Sequence, residues 1–224
     1  MTGTMKLAAL AATMLACAAQ PALAQDEGNA SVGLTAGTLG IGPEVGYRVN
    51  ETIGVRVNAS LLSFGADFDS DDVAYRGDVD LKSGGIMLDV YPFGGGFRVS
   101  AGARLNGNKG ELKATPIGTD IEIGDDSYTA DEIGTITGKA NVKDFAPALT
   151  LGYGGGVSRG LAFTAEAGVL FQGKVRIDEF KSTGTLAADA AFRANLELER
   201  QSLQDDVDDY KLYPILQFGL KYRF

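Results

Sequence analysis

Phe97–Asn106 reads FRVSAGARLN, and the alternation within it decides how the rest of the chain is read. Phe97, Val99, Ala101, Ala103 and Leu105 fall on one face; Arg98, Ser100, Gly102, Arg104 and Asn106 fall on the other. Successive side chains of a strand point to opposite sides of the sheet. A period of two held over such a stretch predicts a β-strand with one apolar and one polar face.

The same period recurs along most of the chain. Val45, Tyr47 and Val49 oppose Glu44, Gly46 and Arg48, and Val55, Val57, Ala59 and Leu61 oppose Arg56, Asn58 and Ser60. Ile86, Leu88 and Val90 oppose Asp89. Phe145, Leu149, Leu151 and Tyr153 oppose Ala148, Thr150 and Gly152. Phe163, Ala165, Ala167 and Val169 oppose Thr164, Glu166 and Gly168, and Leu216, Phe218, Leu220, Tyr222 and Phe224 oppose Gln217, Gly219, Lys221 and Arg223. Strands are predicted over 31–38, 41–50, 54–66, 78–92, 97–112, 138–154, 160–180 and 213–224. This is an all-β chain of about eight antiparallel strands, and an even number returns both termini to one side. Short connections at 50–54, 92–96 and 154–160 alternate with long polar segments at 66–79, 107–142 and 181–211. Short turns on one side and long loops on the other suit a closed transmembrane β-barrel.

Two architectures place such strands. A soluble sandwich or lipocalin-like barrel buries the apolar face; a membrane barrel turns it to lipid and fills its lumen with polar groups. The polar face here is made of Gly, Ser, Thr and Asn with charges of both signs, which favours the second. Glu44, Arg48, Arg56, Asp89, Arg98, Arg104, Glu166, Lys221 and Arg223 are then expected to point inward as a paired, hydrogen-bonded network, the form in which buried charges are tolerated. The alternative is that they are ordinary solvent-side charges. One further element is predicted before the last strand. In Leu186–Tyr210, Phe192, Leu196, Leu203, Val207 and Tyr210 share one face of an amphipathic helix, either capping the barrel mouth or lying solvated beside it.

The N-terminus addresses the compartment. Lys6 precedes the apolar run Leu7–Ala19, and Gln20, Pro21 and the triplet Ala22-Leu23-Ala24 follow. That is the layout of a secretory signal peptide over 1–24, cleaved after Ala24. The apolar run is shorter than the ~20 residues of a membrane-spanning helix. Cys17 leaves with the leader, so the mature barrel, 25–224, has no thiol and no disulfide. Losing Lys6 takes the formal charge from −9 to −10, a balance without the basic footprint that nucleic acid requires.

The terminal run Tyr213–Phe224, YPILQFGLKYRF, ends in Phe with apolar or aromatic residues at alternate positions. It resembles the C-terminal strand of small Gram-negative outer-membrane β-barrels such as the OmpA-type membrane domain, OmpW and Opa groups. The resemblance implies an outer-membrane location and recognition of Tyr222 and Phe224 by the barrel-assembly machinery. The partners expected with it are outer-membrane lipid and lipopolysaccharide, around a monomer. It implies no ligand.

Chemistry is sparse. The chain has no histidine, the one side chain that titrates unperturbed near neutrality, and the mature chain has no cysteine. Ser–His and Cys–His hydrolysis and the usual zinc sites are excluded, so neither an enzyme nor a cofactor is expected. Asp69, Asp71 and Asp72 in one predicted loop are the weak candidates for a hard cation such as Ca²⁺ or Mg²⁺. Gly94–Gly96 and Gly154–Gly156 lack the Lys-Ser/Thr of a phosphate loop and read as tight turns. The sequence thus supports an integral outer-membrane barrel with a structural, anchoring or cell-surface role. A narrow porin-like channel and a soluble periplasmic barrel binding a lipophilic ligand are the alternatives.

Overall fold

The computed structural model describes residues 28–70, 72–118, 121–124, 126–155 and 158–224. The expected leader and Asp71 lie outside them. In chain order the strands are β1 (Ala30–Gly37), β2 (Gly40–Arg48), β3 (Ile53–Ser70), β4 (Val73–Val90), β5 (Phe97–Asn106), β6 (Lys109–Pro116), β7 (Ile121–Ile123) and β8 (Asp126–Tyr128). There follow α1 (Ala130–Ile133), β9 (Ile136–Asn141), β10 (Phe145–Tyr153), β11 (Gly160–Leu170), β12 (Arg176–Ile177), β13 (Lys181–Ser182), α2 (Ala190–Val207) and β14 (Tyr213–Arg223). Eight of the strands form a closed antiparallel ring in the order β1-β2-β3-β4-β5-β10-β11-β14. Closure is by β14 on β1, from Ser31 opposite Arg223 to Gly37 opposite Gln217. Every ring strand then has two neighbours, so the ring has no open edge.

Turn chemistry sets the corners. Asn50 Oδ1 accepts from the backbone N–H of Thr52 and of Ile53, both at 2.8 Å, and turns β2 into β3. At the opposite end Thr38-Leu39 alone connects β1 to β2, and Gly40 takes φ +101° beside them. Only glycine adopts that backbone without a Cβ penalty. The connections at 49–52 and 91–96, with residues 154–155 and 158–159 of the next, lie at the end where Gly28 and Phe224 stand.

The ring is apolar outside and polar inside. Val45, Val57, Leu88, Leu105, Leu149, Leu151, Phe163 and Phe218 are exposed, whereas Arg56, Asp89, Arg98, Ser100, Arg104 and Thr150 are buried. Tyr47, Phe93, Phe97, Tyr153, Phe163, Tyr222 and Phe224 form an exposed aromatic collar at the terminal end.

On the far end part of the wall rises beyond the ring. β2 pairs β3 only as far as Leu61, but the β3–β4 ladder runs on to Ser70 opposite Val73. β6 continues the register of β5 along β4, with Asn106 opposite Ser83 and Lys109 opposite Asp80. The break between them stays bonded: Gly107 N–H donates to Lys82 O at 2.7 Å, and Lys82 N–H donates to Asn108 Oδ1 at 2.9 Å. β9 continues β10 in the same way, and β12 and β13 border it.

This extension corrects the expectation of long polar loops. Among the described residues, 66–70 and 73–79 are strand and 107–142 holds four strands and a helix. The alternation persists through these stretches, but its phase reverses. On β3 the outward set Val55, Val57, Ala59 and Leu61 gives way to Ser63, Gly65, Asp67 and Asp69, while the inward set Arg56, Asn58 and Ser60 gives way to Leu62, Phe64, Ala66 and Phe68. On β6 Lys109, Glu111 and Lys113 face outward, and Leu112 and Ala114 inward. The extension is therefore polar outside and apolar inside.

α2 covers part of that inner face. It spans Ala190–Val207 rather than the predicted 186–210 because Asp189 caps it, Oδ1 accepting from Ala191 and Phe192 N–H at 2.9 and 3.0 Å. A carboxylate there satisfies backbone donors that a helix start leaves free. Phe192 and Leu196 are buried against Ile123 and Ile133, whereas Tyr210 lies past the helix and is exposed. Among the described residues no helix is long and apolar enough to cross a membrane.

Candidate functional site

The lumen gathers most of the charged residues that the alternation points inward. Arg56 on β3 is its hub. Its Nε donates to Asp89 Oδ2 and its Nη1 to Glu44 Oε2 and Glu166 Oε2, all at 2.7 Å. Its Nη2 reaches Glu166 Oε1 at 3.2 Å and Ser100 Oγ at 3.3 Å. Arg98 Nη2 donates to Glu166 Oε2 at 2.8 Å, and Thr150 Oγ1 donates to Glu166 Oε1 at 2.6 Å. Ser100 Oγ donates to Asp89 Oδ1 at 2.6 Å, with Tyr91 OH 3.3 Å from Asp89 Oδ2. Charge-assisted, partly bidentate bonds of this kind fix geometry as well as adding energy.

The remaining inward charges lie away from the hub. Arg48 Nη2 donates to Glu51 O at 2.7 Å and Gly94 O at 2.8 Å, and its guanidinium sits 3.9 Å over the Tyr91 ring. Arg223 Nη1 donates to Gly28 O at 3.2 Å, and Lys221 is buried beside Gly154 and Arg98. Arg104 donates to Asn58 Oδ1 at 2.6 Å and to Ser83 Oγ at 2.9 Å. The neutral partners Asn58, Ser83, Ser100 and Thr150 share the inward parity, but composition gave no reason to single them out.

A second feature was not anticipated. Leu39, Met87, Ala146, Ala148, Leu170 and Ile215 form an apolar cluster inside the ring, with Tyr213 against it. Met87 sits on the otherwise polar inner face of β4, and Leu39 enters from the two-residue turn. The void left in the lumen is about 20 Å³, room for about one water. Side chains fill the barrel, as expected at eight strands.

The other candidate residues do not converge. Asp69 lies on the outer face of β3, opposite Ala74, and Asp72 lies in the following turn, where its backbone carbonyl accepts from Ile117 and Gly118. Among the described residues no three His, Cys, Asp or Glu side chains approach one another closely enough to hold a metal. Tyr222 and Phe224 both project outward, their rings edge to face at 5.1 Å.

No family model matches the chain, and no curated protein does. Solved structures do. Acinetobacter baumannii CarO2 superposes with a TM-score of 0.58 at 19% identity, covering 89% of this chain and 100% of its own. A. baumannii CarO superposes at 0.55 with 17% identity, covering 92% of this chain and 100% of its own. The fold is that of the CarO barrels. At these identities the likeness is one of architecture.

Proposed function

We propose that the chain is an integral outer-membrane β-barrel with a structural, anchoring or surface-interaction role. One observation carries this reading: within the ring, polarity is inverted relative to a protein that folds in water. An apolar belt from Phe97 to Leu105 on β5 matches the ~9–11 residues with which a tilted strand crosses the hydrocarbon core. The charged groups are inside, where Arg56 and Arg98 are paired with Glu44, Asp89 and Glu166. A water-soluble carrier of lipophilic ligands needs the opposite arrangement, so that alternative has no support in the ring. The phase reversal on β3, β4, β6 and β9 then marks the height at which the wall leaves lipid for water.

In this reading the leader is removed after Ala24, Tyr222 and Phe224 are the strand residues presented to the barrel-assembly machinery, and the extension faces the cell exterior. The filled lumen favours an anchoring or surface role over a narrow channel. Cell fractionation with a gel run before and after boiling tests the proposal. The expected result is a detergent-extracted outer-membrane band whose mobility shifts on heating. A soluble periplasmic band without a shift overturns it.

A further inference from the structure

The inner face of the extension is only partly covered, and what remains is a cavity of about 540 Å³ between β4, β6 and β9 on one side and α2 with β7 on the other. Tyr75, Val79, Leu112 and Ile136 line the sheet side, with Phe180 and Leu203 opposite. The lumen, by contrast, is closely packed, with a void of about 20 Å³. Leu112 and Leu203, which line the cavity, stay 43% and 39% exposed. Such exposure outside the lipid belt forgoes about 25 cal/mol for each Å² left in contact with water.

We propose that this cavity is a binding site for an uncharged, hydrocarbon-rich small molecule. Its volume falls in the ~300–1,000 Å³ range of small-molecule sites, and its walls are apolar on both sides. Charge at the mouth narrows the class. Of the charged residues that line it, Lys139 is paired with Glu111 and Asp78 with Arg76, whereas Glu122 and Glu199 are exposed and form no ion pair among the described residues. An anionic amphiphile would meet both; an uncharged one meets neither penalty. The cavity opens just beyond the phase reversal, so a molecule already dissolved in the outer leaflet reaches it with a short passage through water. That route rests on the membrane reading; the cavity itself does not.

The glycines of its floor supply the variant that tests it. A Cβ at Gly77 would meet Leu112 Cδ1 at 3.8 Å and Ala66 O at 3.9 Å, and one at Gly110 would meet only Ala140 Cβ at 3.9 Å. These are ordinary contacts, so a side chain can start at either position without moving backbone, and Gly77→Leu with Gly110→Leu adds bulk to the cavity floor. The probes are N-phenyl-1-naphthylamine, uncharged, and 8-anilino-1-naphthalenesulfonate, which adds one negative charge to the same ring system. Both are titrated onto the full chain in lipid nanodiscs, against empty nanodiscs.

The expected result is saturable fluorescence enhancement by the uncharged dye at one site per chain, with the sulfonate at least tenfold weaker. The double leucine variant should lose the saturable phase while keeping its heat-dependent gel shift. Glu122→Gln with Glu199→Gln should narrow the gap between the dyes. The absence of a saturable phase in the unmodified chain, its survival in the folded leucine variant, or equal affinity for the sulfonate overturns the proposal. If the leucine variant loses its gel shift, Leu203→Ala replaces it: a larger cavity with weaker dye binding supports the site, and unchanged binding overturns it. A soluble chain would sink the membrane reading alone, since the same titration can then be run in buffer.

Discussion

Arg56 joins carboxylates from three strands, Glu44 on β2, Asp89 on β4 and Glu166 on β11. Removing one partner of a buried pair costs about 3–5 kcal/mol, because the charges left behind are uncompensated in a site of low dielectric. Among the described residues, Arg56→Ala leaves Glu44 without a partner and removes the charge opposite Asp89 and Glu166, of which Glu166 keeps Arg98 and Thr150 and Asp89 keeps Ser100 and Tyr91. It should lower the urea midpoint of the barrel refolded in lipid vesicles well below that of the unmodified chain, with Arg56→Lys in between, since an ammonium lacks the planar fork that serves all three. An unchanged midpoint would show that water replaces the hub. The inward parity of these residues was legible from alternation alone. That Arg56 meets Glu166, 110 positions away, was not, because the ring's register decides which inward side chains share a height.

At the scale of the element, the same strand serves two environments, and its substitutions should divide accordingly. Leu88 lies on the outward face of β4, paired with Ala101 of β5. Arginine near the bilayer midplane of such a barrel costs about 2–4 kcal/mol, so Leu88→Arg should lower the vesicle urea midpoint strongly. Asp67→Leu, outward on β3 but beyond the reversal, should shift it by no more than about 0.5 kcal/mol, as surface changes do. Equal effects would refute the boundary. α2 carries its own pH signature. Lys174 pairs with Asp208 just past the helix end, which holds the Asp208 carboxyl below its ordinary value and raises Lys174. Arg200 and Gln201 pull Glu197 from 4.5 to about 2. A depressed carboxyl stabilises the fold above its ordinary value and ceases to do so as pH falls through the lowered one; a raised lysine stabilises below its ordinary value and ceases as pH rises through the raised one. Circular dichroism at 222 nm should therefore be flat from about pH 5 to pH 9 and decline below about pH 4. A transition near neutrality would contradict these pairings.

Over the whole molecule, the lumen holds six cationic side chains, Arg48, Arg56, Arg98, Arg104, Lys221 and Arg223, against Glu44, Asp89 and Glu166. Glu166→Ala releases Arg56, Arg98 and Thr150 together. Any leak it opens in a planar bilayer should favour anions, as pores lined by Arg and Lys do; a reversal potential of cationic sign across a KCl gradient would contradict this surplus. The sequence by itself determined the eight ring strands, their two faces, the end at which the termini meet and the helix before the last strand, because period-two alternation and turn residues act locally. It misread the extension as loops, since the rising count of Asp, Lys and Glu at 66–79 and 107–142 masks an alternation that continues in the opposite phase. Only the tertiary structure decided that Met87 and Leu39 help fill the lumen and that α2 leaves a cavity over the inner face. Both depend on which distant strands stand side by side, and closure of the ring fixes that through hydrogen bonds that no local stretch of sequence specifies.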